Sequence, residues 1–154
     1  MTIVWTADMD TGIEPVDLQH RQLIECINEL ETAAAAGNRP VIAEVLEQLI
    51  EYTLSHFAFE EQLQVDVGYA FAKPHKSMHE VFVKRVERYK ARFDAGEDIA
   101  VELQRMLKSW LVHHIKREDK AYAVALQGKL KQIVEQRKQS GWFARGVSRF
   151  FGPQ

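Results

Sequence analysis

LEQLIEYTLSHFAFEEQLQVDV, residues 46–67, is the stretch on which the fold turns. Within it Leu46, Leu49, Thr53, His56, Glu60, Leu63 and Val67 recur in alternating steps of three and four. That alternation keeps one narrow stripe of an α-helix facing its neighbours, as the core seam of a helix bundle requires. Two of these seam positions are nevertheless a histidine and a glutamate, which are costly to bury unless something pairs with them. One seam histidine is most often just a hydrogen-bonded core residue. The rest of the chain has to decide.

Outward from this helix, three more segments show the same period. Upstream, His20, Leu23, Ile24, Ile27, Leu30 and Ala34 form a stripe, with Asp17 expected to cap it and Pro15 at its edge. Gly37–Asn38 should end that helix, and Pro40 suits the first turn of the next. Downstream, Gly68 is a break and Pro74 is expected to open a third helix with seam His75, Met78, His79, Phe82, Val86, Tyr89 and Phe93. After Ala95–Gly96 comes a fourth, with Leu103, Leu107, Trp110 and His114 in register.

The fourth helix slips beyond His114. Its later stripe is Asp119, Tyr122, Leu126, Leu130 and Ile133, one residue late. On an ideal α-helix His114 and Asp119 would point ~140° apart. One wide π-helical turn would bring both onto one face, and such turns are frequent at functional sites. The spacing therefore predicts one between these residues. Four amphipathic helices with short joints and no strand-like alternation indicate an all-α, up-down-up-down four-helix bundle preceded by an N-terminal arm. The bundle is expected to occupy residues 1–138 and a short amphipathic tail residues 139–154.

Every helix thus carries polar seam residues: His20, then His56 and Glu60, then His75 and His79, then His114 and Asp119. The i, i+4 pairs place both side chains on one helical face, as helical metal sites do. Without a metal, seven such residues would form a dense buried network lacking charge compensation. Five imidazoles and two carboxylates exceed what one tetrahedral zinc takes, and thiolate ligands are absent from the set. Imidazole suits iron and other transition metals, whereas calcium and magnesium prefer oxygen. Two ions bridged by the two carboxylates would use all seven residues, and di-iron in a bundle core is the natural reading.

Composition narrows the partners. A hydrophobic fraction of 46% with 27% charged residues is that of a globular chain, and a net charge of -2 gives no basic face for nucleic acid. Cys26 is the only cysteine, so an internal disulfide is excluded and a reducing compartment is expected. The first residues lack the pattern of a secretory signal and no stretch is apolar enough to span a bilayer; a cytoplasmic location is the expectation.

The chain resembles the bacterial hemerythrins in G-I-x-x-V-D-x-Q-H from Gly12 to His20, H-F-x-x-E-E from His56 to Glu61, H-x-x-x-H from His75 to His79, and W-L-x-x-H-I-x-x-x-D from Trp110 to Asp119. The likeness spans roughly residues 3 to 130, with order and spacing intact. It implies an oxo- or hydroxo-bridged pair of Fe ions, one held by His75, His79 and His114, the other by His20 and His56, with Glu60 and Asp119 bridging. It also implies O2 as ligand at an open position of the second iron, and Trp110, Leu111 and Ile115 as the apolar pocket wall, though each of these three suits plain core as well. In the last motif His114 takes the ligand slot and His113 is left spare.

Function is then expected to be reversible O2 binding for carriage, storage or delivery rather than catalysis. Neutral imidazoles outnumber carboxylates, which favours Fe(II), and the seam offers no further acid to drive O–O cleavage. The alternatives are a di-iron oxidase or peroxidase, a nitric-oxide-handling protein, an O2 sensor acting through the tail, or iron storage. Glu61 is read as a solvated surface residue, Cys26 as buried and inert, and Lys129 to Lys138 as the solvated face of a helix end. In the tail, residues 142–151 interleave aromatics with Arg145 and Arg149. This segment is expected to fold back on the bundle; free, it would suit an anionic membrane surface or an O2-consuming enzyme.

Overall fold

The computed structural model describes residues 2–139, and the tail lies outside the described residues. A short 3-10 turn, Ala7–Met9, interrupts the N-terminal arm. Helices α1 (Glu14–Ala36), α2 (Arg39–Val67) and α3 (Ala72–Asp94) follow. The fourth rod is built of α4 (Ala100–His113), a π-helical segment (His114–Asp119) and α5 (Lys120–Gln139). Joints of a few residues reverse the chain each time, which gives the up-down-up-down bundle. Helix α1 packs on α2 and α4, and α2 packs on α3 and α5.

The punctuation works as its chemistry dictates. Gly37 and Gly68 close α1 and α2 at φ 62° and 68°, a left-handed conformation that glycine adopts without a Cβ clash. Asn38 caps α2 by accepting from the Val41 amide at 3.3 Å, and Pro40 sits in the first turn. Lys129 of α5 donates to the Val67 carbonyl at 3.0 Å, placing a cation at the C-terminal end of α2 where the helix dipole favours it.

Two expectations need correction. Asp17 does not cap α1, which starts three residues earlier at Glu14. Its carboxylate instead accepts from the Thr11 amide at 2.9 Å, the Thr11 hydroxyl at 2.7 Å and the Gly12 amide at 3.3 Å. It holds the incoming arm, because the Pro15 turn has already supplied a helix start. Similarly, α3 begins at Ala72, two residues before Pro74, since proline is tolerated anywhere in a first turn where no N–H is needed.

The arm is tied down farther along α1. The Asn28 side chain accepts from the Ile3 amide at 2.8 Å and donates to the Ile3 carbonyl at 3.0 Å, and the Ile3 side chain is buried. Apolar packing falls into two bodies. The larger includes Leu23, Ile27, Leu46, Leu49, Phe57, Phe82, Leu107, Leu111 and Ile115. The smaller contains Ile13, Val16, Phe59, Leu63, Val67, Tyr122 and Ala123. On each of α1, α2 and the fourth rod, the switch from one body to the other occurs around His20, His56–Glu60 and His114–Asp119 respectively. A polar layer is therefore clamped between two apolar ones.

Candidate metal centre

That polar layer contains all seven seam residues singled out from the sequence. His20, His56, Glu60 and Asp119 are 0% exposed, and His75, His79 and His114 no more than 3%. They come from α1, α2, α3 and the π-helical segment, so no single element builds the site. The π-helical turn lies between His114 and Asp119, where the slipped register places it. It lets a histidine and an aspartate five residues apart reach one another, with His114 Nε2 2.9 Å from Asp119 Oδ1.

The contacts divide in two. His20 and His56 bring their Nε2 atoms within 3.0 Å, and His79 and His114 do the same at 3.0 Å. Glu60 straddles the halves. Its Oε1 lies 3.2 Å from His20 Nε2 and 2.7 Å from His56 Nε2. Its Oε2 faces His75 at 3.3 Å and His79 at 3.5 Å. Asp119 does likewise, with Oδ2 2.9 Å from His20 and Oδ1 3.2 Å from His75. The donor atoms form one group from Glu60, His75, His79, His114 and Asp119, and another from His20, His56, Glu60 and Asp119. The two groups share the carboxylates.

These spacings fit ligation better than hydrogen bonding. Both Asp119 oxygens are buried without a satisfactory hydrogen-bond partner, although imidazole nitrogens crowd them. Two donors each ~2.1 Å from a shared ion and about a right angle apart stand ~3.0 Å from one another. The Nε2 pairs have that separation. Five nitrogen donors and four carboxylate oxygens converging on two points suit a pair of transition-metal ions of imidazole-binding type.

The electrostatics agree. Burial opposes charge on His20, but the close contact and attraction of Asp119 and Glu60 outweigh it and raise its pKa to about 9. The same competition raises His75 to about 10. Burial lowers the pKa of His56, and the neighbouring His20 charge adds to that effect. Glu60 stays well below the ordinary carboxylate range: burial works against its charge, but His56, His20 and His75 prevail. Asp119 is lowered too, with burial and the Glu60 charge opposing and His114 and His20 winning. Two imidazoles with raised pKa values thus stand beside two carboxylates with lowered ones.

Around this layer the structure adds ring partners that the sequence reading gave no such role. Gln19 Oε1 accepts from His56 Nδ1 at 2.8 Å, so that imidazole carries its hydrogen on Nδ1 and presents Nε2 as a lone pair. Glu61 is not a free surface residue. Its side chain is 25% exposed and its Oε1 stands 3.4 Å from His79 Nδ1. On a helix the residue after a seam position turns partly back toward the next helix, and Glu61 meets α3 there. Phe57 stacks on His79 at 3.7 Å between centroids, and Trp110 stacks on His114 at 4.4 Å. Neighbours of motif residues in sequence (Gln19 before His20, Phe57 after His56, Glu61 after Glu60) were the available signal.

Trp110 is half-buried, Leu111 and Ile115 are buried, and His113 is exposed. Trp110 and Leu111 line an apolar internal cavity with Leu23, Ile27, Phe57 and Phe82, which leaves about 10 Å³ for the centre of a water-sized molecule. Ile115 does not line it. Cys26 is buried and free, as expected. No helix among the described residues is long and apolar enough to cross a membrane.

Comparison with known proteins places these features. Residues 11–126 match the family described as the hemerythrin HHE cation binding domain. A bacteriohemerythrin of Pseudomonas aeruginosa is 45% identical over 150 residues, covering 97% of this chain and 98% of its own. One from Methylococcus capsulatus is 35% identical, covering 80% of this chain and 96% of its own. A crystal structure of wild-type hemerythrin superposes with a TM-score of 0.76 at 34% identity, over 80% of this chain and 96% of that one.

Proposed function

This chain belongs to the hemerythrin family, and on that premise we propose that it binds O2 reversibly at a di-iron centre, for carriage, storage or delivery. One observation carries the reading: two groups of imidazole nitrogens, three and two in number, face opposite oxygens of the same two carboxylates. In it His75, His79 and His114 would hold one iron and His20 and His56 the other, with Glu60 and Asp119 offering an oxygen to each. A bound pair of Fe(II) ions supplies the electrons and the open coordination position that reversible O2 binding needs.

The chain's own residues favour return of the ligand over its consumption. The two-histidine side offers one protein donor fewer, so a bound ion would have room for a ligand there. Leu111 and Ile115 close the layer on its apolar side and, with Trp110, exclude water, which would otherwise promote loss of the bound ligand as a reduced species. Beyond the bridging carboxylates, a phenol stands close by. The Tyr122 ring lies 5.6 Å from His75, and its hydroxyl is buried without a hydrogen-bond partner among the described residues. Burial first, and then the charges of Glu60 and Asp119, raise its pKa well above the ordinary phenol range. Metal charge would offset the carboxylates but not the burial. Tyr122 is thus a poor proton donor, and protonation is what O–O cleavage requires.

The test is to load the protein anaerobically with Fe(II), count the bound iron, and expose it to O2. Two irons per chain and a visible charge-transfer band that disappears on evacuation are expected. Stoichiometric release of hydrogen peroxide, or rapid turnover with a reductant, would replace this reading with an oxidase. Irons in large excess of two would indicate storage instead.

A further inference from the structure

The outer nitrogens of the histidine rings do not all meet the same partner. On the two-histidine side, His56 Nδ1 meets the neutral amide oxygen of Gln19 at 2.8 Å, and His20 Nδ1 is buried with no hydrogen-bond partner among the described residues. On the three-histidine side, His79 Nδ1 faces the carboxylate of Glu61 at 3.4 Å. The His79 ring is held in place besides, by Phe57 stacked 3.7 Å away at an interplanar angle of 3°. Orientation is therefore secured without Glu61, and what the carboxylate adds is negative charge.

A carboxylate hydrogen-bonded to the outer nitrogen of a ligating histidine makes the imidazole more basic toward its metal. An amide does so much less. We propose that Glu61 acts on the metal through His79, its charge making the three-histidine half of the centre the tighter and more electron-rich one. The two-histidine half, where His56 meets the neutral amide of Gln19, is left the more weakly held and the more electron-poor. This proposal rests on the di-iron reading of the site and adds a division of labour to it: one ion is anchored, and the other is kept responsive to its ligand.

Zn(II) provides a probe free of redox chemistry. In wild type, two Zn(II) ions should leave to a strong chelator in two phases. E61Q keeps an acceptor oxygen beside His79 but removes the charge, and its partly exposed position makes folding easy to preserve and to check by circular dichroism. It should release one ion about 10-fold faster and the other unchanged, in the range seen for outer partners of metal ligands. E61A should release that ion at least as fast. In the iron-loaded protein E61Q should also raise the midpoint potential. Wild-type release and potential in E61Q would overturn the proposal, with or without an effect in E61A, since only charge distinguishes the two residues. Equal acceleration of both ions would overturn it as well. If wild type takes up two ions and E61Q behaves like it, this inference alone falls; if wild type fails to take up two ions, the reading of the centre falls and takes it along.

Discussion

His56 shows what a single side chain is asked to do at this centre. Its Nε2 lies 3.0 Å from that of His20 and 2.7 Å from a Glu60 oxygen, and Gln19 fixes which nitrogen bears the hydrogen. His56→Ala should lose most of the second iron and nearly all O2 binding while the three-histidine iron remains, as iron analysis and the visible spectrum would report. Wild-type O2 binding in that variant would sink the assignment. Protons give a second, independent measure. Because His20 and His75 hold theirs up to about 9 and 10, and ligating imidazoles must be neutral, loading the metal-free protein at pH 7 should release at least about two protons per chain. Titration in weak buffer measures them; release of none would show that the protonated pair is not displaced.

At the scale of the element, the π-helical segment is the least regular part of the fold and the one most closely tied to the site. It holds six residues, with His114 at its start and Asp119 at its end. Deleting the exposed Arg117 should let this stretch return to an α-helix, because His114 and Asp119 would then be four positions apart and still share a face. The metal-free variant should melt at or above the temperature of wild type. Asp119 would, however, be drawn ~1.5 Å along the axis toward His114, so fewer than two irons should be retained. Stoichiometric iron binding in the deletion would show that the wide turn serves no ligand geometry. The arm gives a simpler case. Asn28→Ala removes both hydrogen bonds to Ile3, which should cost about 1–2 kcal/mol and lower the melting temperature by roughly 2–8 °C.

The whole molecule inherits its pH response from the polar layer. In the metal-free protein the raised pKa values of His20 and His75 contribute stability that is complete below their ordinary value near 6.5 and is lost as pH rises through about 9 to 10. Glu60 and Asp119 are lowered, so their contribution is present above the ordinary carboxylate range and disappears as pH falls through their lower folded values. His56, lowered by burial, works against the fold as acid charges it. Melting temperatures of the metal-free protein should therefore fall from about pH 6.5 to about pH 10 and level off above that. The iron-loaded protein, whose histidines have already given up their protons, should not show that alkaline loss, and should instead release metal as acid competes for the ligands. An alkaline loss of equal size in both forms would argue that it arises elsewhere in the chain.

Sequence alone determined the parts that repeat with the helical period. Seam spacing defines the four rods, glycines at 37, 68 and 96 mark their ends, and the one-residue slip after His114 requires a wide turn, because side-chain direction follows directly from position along a helix. The seven polar seam residues were legible for the same reason: a charge placed on a core stripe contradicts burial unless something answers it. What only the tertiary structure decided lies off the seam. Asp17 turned from its own helix to hold Thr11 and Gly12, and Gln19 and Glu61 met rings borne by other helices. Those contacts depend on how far one rod is rotated and shifted against the next, and packing of the two apolar bodies sets that rotation, which no local pattern encodes.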